Sequence, residues 1–213
     1  MQAKLPYLLL AVTLLFAVSC TKTKVTTVTN TITDTVNHIN RDTINNTVID
    51  TALQMPVASL LAKNIEIDSL AIFSAFAVES GSAFYASDSG VITKLGCLCL
   101  MKDTVYTVSL WDYNSQALLA SAQVSSTDSL HFAYTAITPF SVSPNKLYMI
   151  SYNTKDLPFY LLELKGDPDL AFPFSNGNIT FTDSYFVSAT TSTFPTNNEE
   201  DYLTPVDFVF QIK

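Results

Sequence analysis

Val105-Tyr106-Thr107-Val108-Ser109-Leu110-Trp111 alternates along its whole length. Successive side chains of a strand point to opposite faces. Tyr106, Val108 and Leu110 therefore share one face, and Thr107, Ser109 and Trp111 the other. An apolar face backed by a mixed one is the pattern of a half-buried strand. Tyr113-Asn114-Ser115-Gln116 then supplies turn residues, and Ala117 to Val124 runs back. The stretch predicts an antiparallel hairpin.

The same texture extends in both directions. Ile72 to Val78 forms one apolar run, and Gly90 opens a longer one from Val91 to Met101. From His131 to Ile137, Phe132, Tyr134 and Ala136 alternate with His131, Ala133 and Thr135. Leu147 to Tyr152, Phe159 to Leu164 and Phe208 to Ile212 follow, punctuated by Pro139 and Pro144. No stretch after Asp68 holds a 3.6-residue period, although Ala58 to Lys63 can make one helical turn. Abundant Tyr and Phe, many Thr and Val and few Gly favour strands. Residues 66–213 are thus expected to form an all-β domain, an antiparallel β-sandwich of Ig-like or jelly-roll-like type. Uneven strands and loops fit a closed barrel less well. The stretch 166–195 reads as long loops crossing one end of the sandwich.

The beginning of the chain is a different text. Lys4 precedes an almost wholly apolar run, Leu8 to Val18, and Ala17-Val18-Ser19-Cys20 closes it. This is the layout of a secretory signal peptide, and the run is short for a membrane span of roughly 20 residues. The small residues leading into Cys20 resemble the lipobox of bacterial lipoproteins. That resemblance implies a signal peptide at 1–19, diacylglycerol on the Cys20 thiol and cleavage before it. Anchoring by several acyl chains is stable where one alone is marginal. No Asp follows Cys20, and no acidic run follows it either. By the same resemblance the protein is expected at the outer membrane, with the periplasmic leaflet favoured over the cell surface.

Residues 20–56 are rich in Thr, Asn and Asp. Asp34-Thr35-Val36, Asp42-Thr43-Ile44 and Asp50-Thr51-Ala52 recur every eight residues. Thr is β-branched and favours extended backbone, so the segment reads as an extended stalk. The alternative is a short coiled coil, although apolar heptads are not sustained. The triplets resemble the O-glycosylation acceptor motif of Bacteroidota, which implies sugars on Thr35, Thr43 and Thr51. Asp68-Ser69-Leu70, Asp103-Thr104-Val105 and Asp128-Ser129-Leu130 match it too. The plainer account is that Asp and Thr keep a linker soluble.

Within the domain, three segments follow in order. They are Ser89-Gly90-Val91-Ile92 to Leu98, Tyr106 to Val124 with its Leu110-Trp111 and Leu118-Leu119-Ala120, and Ile137-Thr138-Pro139 to Tyr152. The chain then ends on Phe194-Pro195 and Pro205-Val206-Asp207-Phe208-Val209-Phe210. This order is similar to the bacterial "domain of unknown function 4082" family over roughly residues 72–210. The resemblance implies an all-β sandwich of the kind found beside carbohydrate-active modules on secreted proteins. It implies no activity, because the family has none assigned. Lys102-Asp103-Thr104 stands where the family has a glycine-rich hairpin, and Cys97 where it has an aromatic residue.

The formal net charge is −8, and no basic patch exists beyond Lys22 and Lys24, so nucleic acid is a poor partner. Of the three cysteines, Cys97 and Cys99 fall two apart on one strand and are expected as small buried hydrophobes. No metal or cofactor is expected. Glu199-Glu200-Asp201 is the best oxygen-rich stretch for a cation, and its plain reading is a solvated acidic loop. The chain has no Gly-x-Ser-x-Gly, His-Glu-x-x-His or P-loop motif. Trp111, with Tyr113 nearby, is the candidate platform for a sugar ring. The competing account packs Trp111 under the hairpin. Phe172-Pro173-Phe174 and Tyr185-Phe186 are either loop contacts for a partner or core plugs. These readings describe a binding or structural lipoprotein of the outer membrane, not an enzyme. Its partners would be the membrane, through the anchor, and a glycan or another envelope protein. The alternative is a carbohydrate-active enzyme or an accessory subunit of one.

Overall fold

The computed structural model describes residues 53–62, 70–73, 77–155, 157, 159–163, 172–199 and 202–213. All of them fall in one compact unit. Cys20, Thr35, Thr43 and Thr51 lie outside the described residues, as do Ser69, Glu200 and Asp201.

The elements are β1 (Leu53–Gln54), helix α1 (Pro56–Leu61), β2 (Leu70–Phe73), β3 (Val78–Ala86), β4 (Gly90–Cys99), β5 (Val105–Asp112) and β6 (Leu118–Ser125). Then come β7 (His131–Val142), β8 (Tyr148–Asn153), β9 (Phe159–Glu163), β10 (Phe174–Asn176), β11 (Ile179–Ser188), β12 (Asn197–Asn198), β13 (Tyr202–Leu203) and β14 (Val206–Ile212). They form a four-stranded sheet, β1-β14-β4-β7, and a seven-stranded sheet, β10-β11-β3-β8-β5-β6 with β12 on β11. A small sheet, β13-β9-β2, completes the set, and the strand pairs throughout are antiparallel.

The two larger sheets pack as a sandwich. The alternation of β5 holds: Tyr106, Val108 and Leu110 are buried in the main core, and Trp111 belongs to a separate cluster on the opposite face. Tyr148, Ile150, Tyr152, Phe84 and Phe181 join them from neighbouring strands, and Leu95, Phe208 and Phe210 face them from the smaller sheet. The Phe84 and Phe208 rings meet at 4.6 Å between centroids across the layers. Such aromatic pairs add about 0.5–1.5 kcal/mol beyond the area they bury. Cys97 and Cys99 are unpaired thiols fully buried in this core, as their spacing on one strand face requires.

One flank closes where β6 meets β7, with Thr135 Oγ1 donating to the Gln123 carbonyl at 2.7 Å. β7 is an edge strand, and its ladder to β4 is interrupted between Ile92 and Lys94, opposite Ile137 to Pro139. A proline in a bulge on an edge offers no N–H to a stray strand. The other flank is held by Asp207. Its Oδ1 accepts from the Val57 and Phe208 amides at 3.1 and 2.8 Å. Its Oδ2 accepts from the Ala58 amide at 2.9 Å and the Tyr134 hydroxyl at 2.8 Å. Gly96 lies between Asp207 and Tyr134 in register, and a Cβ there would collide with the Tyr134 ring. The glycine lets the tyrosine lie across β4 to reach the carboxylate.

Four features of the fold depart from the sequence reading. β1 pairs with β14 and α1 docks on Asp207, so the folded unit reaches back to Leu53, inside the segment assigned to the stalk. The helix begins at Pro56, where a missing N–H costs nothing, and not at Ala58. The stretch 166–195 is not all loop, because it holds β10 and the ten-residue β11. β3, central in the larger sheet, lies where the sequence showed only the end of the run Ile72 to Val78.

Candidate functional site

The outer face of the seven-stranded sheet is built in rows by strand register. Val187, Glu79, Asn153, Thr107 and Gln123 form one row, and Tyr185, Gly81, Ser151, Ser109 and Ser121 the next. Asp183, Ala83, Met149, Trp111 and Leu118 form a third. A sheet face of carboxyl, amide and hydroxyl groups beside an indole would ordinarily face water. Here Glu79, Ser109, Ser151 and Asn153 are fully buried. The cover is the segment 189–196, which joins no strand ladder.

Trp111 is only 6% exposed. Its Nε1–H donates to Ser151 Oγ at 2.8 Å, and the Ser151 hydroxyl donates to Glu79 Oε1 at 2.5 Å. Phe194 stands edge-on to the indole at 6.1 Å and to the Tyr113 ring at 5.9 Å. The Tyr113 and Tyr185 hydroxyls share a hydrogen bond of 2.8 Å. The hairpin that carries Tyr113 is fixed at its base: Asp112 accepts from the Ser115 amide at 2.9 Å and pairs with Lys146 at 2.6 Å. The Lys146 ammonium and the Ser115 donors hold the Asp112 carboxyl well below the usual carboxylate range. Trp111 and Tyr113 are therefore brought together, but under a cover. Phe194 and the polar row occupy the surroundings of Trp111, so its indole is packed and not open.

Glu79 is the residue that sequence reasoning missed. Burial pushes its carboxyl from 4.5 up to about 7, against the hydrogen-bonding pull of Ser151, Asn153 and the Thr193 amide. Among the described residues no donor meets its Oε2 at hydrogen-bond geometry. A carboxyl in so small and polar a strand, Val78-Glu79-Ser80-Gly81-Ser82, gave no apolar alternation by which to place it on a buried face. Asp207, the other buried acid, is pushed up to about 6 by burial, although four donors pull it down.

The remaining candidates sit elsewhere. Phe174 is buried and Phe172 and Phe186 pack against the core, so these three are plugs, whereas Tyr185 faces the outer cluster. Ser129 is exposed and Thr104 half-buried, on neighbouring loops joined by an Asp103 amide to Ser126 carbonyl bond of 2.7 Å. Glu199 donates its amide to the Ser184 carbonyl at 2.8 Å. Among the described residues no three of His, Cys, Asp and Glu come together as a metal site. No helix among them is long and apolar enough to cross a membrane. No protein-family model matches the chain, and no curated protein matches it.

Proposed function

We propose that this chain is a binding or structural lipoprotein, held at the outer membrane by lipid on Cys20. It carries one β-sandwich, Ig-like or jelly-roll-like, behind an extended stalk. The observation that carries the reading is the apolar run Leu8 to Val18 ending in Ala17-Val18-Ser19-Cys20. Sugars on Thr35, Thr43 and Thr51 stiffen and hydrate the stalk, and the periplasmic leaflet is the favoured site. The resemblance of the ordered motifs to the "domain of unknown function 4082" family belongs to the same reading. The ligand is a glycan or another envelope protein, and its site is the cluster of Trp111 and Tyr113. In its support, the fold adds Tyr185 and Phe194 as aromatic neighbours and Glu79, Ser151 and Asn153 as polar ones.

The test is metabolic labelling with a fatty acid in the protein's own host. Wild type should take up label and sediment with membranes, and Cys20→Ser should do neither. Label retained on Cys20→Ser would refute the anchor.

One observation favours the enzyme reading: a buried carboxyl poised near 7 is the state of a general acid. Glycoside hydrolysis needs a second carboxylate about 5–10 Å away across a cleft. None of the groups that shift Glu79 is a carboxylate. The proposal is binding without turnover. Chromatography of neutral hexaoses after incubation checks it, since any shortened product would restore the enzyme.

A further inference from the structure

We propose that the segment 189–196 is a lid over a groove for a neutral sugar, and that Glu79 is the latch beneath it. This rests on the binding reading above and adds the regulation of the same site.

Three observations carry the inference. The first is how lightly the segment is held. Ala189 donates its amide to the Ala77 carbonyl at 3.1 Å and accepts from Asn153 Nδ2 at 3.0 Å. Ser109 Oγ donates to Ser192 Oγ at 3.3 Å, and Phe194 leans on Trp111 and Tyr113. The Thr193 amide reaches Glu79 and Pro195 is buried, while Thr190, Thr191, Thr193 and Thr196 are exposed; segments with few backbone bonds and many exposed residues open at low cost. The second is what the segment covers. An indole face, a carboxyl, a carboxamide and hydroxyls lie in adjacent rows, the groups that stack on a pyranose and bond its hydroxyls. The third is Glu79, fully buried under the cover: Ser151 donates to its Oε1, while among the described residues no donor meets its Oε2 at hydrogen-bond geometry. A native fold rarely leaves such an atom unmet without a use for it.

The chemistry of the latch follows from its surroundings. β11 faces Glu79 with Val187, and β8 with Asn153 and Ser151, while the segment brings the Thr193 amide. None of these groups is charged. The titratable groups of the face, Tyr185 and Asp183, stand one and two rows away. Closed, the site favours the protonated carboxyl. Open to water, the carboxyl returns towards 4.5. The folded-state value is the raised one, so closure is strongest below 4.5. It weakens as pH rises towards about 7 and is level above that. The opening constant should grow by up to tenfold per pH unit over this window.

The experiment is hydrogen exchange of the peptide spanning 189–196 in the full mature chain, with intrinsic rates divided out, from pH 5 to 8. Wild type should open progressively up to about pH 7, and Glu79→Gln should be flat with its circular dichroism unchanged. A flat wild type, or the same slope in Glu79→Gln, would overturn the latch. Phe194→Ala removes the lid's anchor and keeps the groove. Trp111 is the chain's only tryptophan, so its fluorescence reports the groove directly. Phe194→Ala should raise acrylamide quenching severalfold. Titration with cellohexaose, maltohexaose and xylohexaose at millimolar concentration should reverse that rise for at least one of them. Unchanged quenching in Phe194→Ala would overturn the lid. Quenching that rises but yields to none of the sugars overturns the sugar groove and the binding site read above, while the latch stands on the exchange data.

Discussion

Trp111→Ala separates a covered indole from an open one. The side chain is 6% exposed, edge-packed by Phe194 and bonded to Ser151. Truncating a buried Trp costs roughly 3–5 kcal/mol through lost transfer energy and the cavity left behind. No buried donor is orphaned, because the Ser151 hydroxyl still donates to Glu79, so the cost stays within that range. In a domain of this size each kcal/mol moves the melting temperature by about 2–4 °C, so the expected fall is about 6–20 °C. Trp111→Phe keeps most of the packing and loses one hydrogen bond, worth about 0.5–1.5 kcal/mol, so it should fall far less. Differential scanning calorimetry on all three proteins measures both. An exposed platform residue would change stability by no more than about 0.5 kcal/mol. A fall of under 2 °C in Trp111→Ala would refute the packed indole and the lid above it.

Three further outcomes follow from the core. Glu79 and Asp207 both have folded-state values raised above their ordinary ones, to about 7 and about 6. Their contribution is therefore fully present at low pH and is lost as pH climbs through 4 to 7. The melting temperature should rise from pH 7 to pH 5, and Glu79→Gln with Asp207→Asn should flatten that slope; a wild type already flat would count against both assignments. Gly96→Ala should cost about 1–3 kcal/mol by overpacking, since the new methyl displaces the Tyr134 ring from Asp207; urea denaturation reads it, and an unchanged midpoint contradicts the contact. Cys97 and Cys99 should resist a thiol reagent in the folded protein and react together on unfolding; rapid labelling of the native state would contradict their burial.

The fold was legible wherever strands alternate. β5, β6 and β8 follow the apolar pattern of the sequence within a residue or so, and the opposite facing of Trp111 and Leu110 came from parity alone. β3 was not legible, because a strand between two neighbours can be built of Ser, Gly and Ala when the partners supply the bulk. Its inward Ser80 and Ser82 bond Thr204 and Ser184, so they are buried without being apolar. β11 has a turn signal at its start. Gly177-Asn178 is the two-residue turn between Asn176 and Ile179, and Gly177, at its first position, takes the positive φ of 62° that such a hairpin needs. The aromatic pair Trp111 and Tyr113 was visible from spacing. The cover over it was not, because the contact of Phe194 with Trp111 spans more than eighty residues without a periodic pattern. Glu79 was hidden for the same reason: its burial depends on Thr193 and Ser151, far away in the chain.

The central claim is that the mature chain begins at a lipid-modified Cys20. The most direct measurement is the intact mass of the protein extracted by detergent from its host's membranes. The expected mass is that of residues 20–213 plus a diacylglyceryl group and further acyl chain, with additional increments for sugars on Thr35, Thr43 and Thr51. A bare peptide mass, or one that retains residues 1–19, would contradict the account.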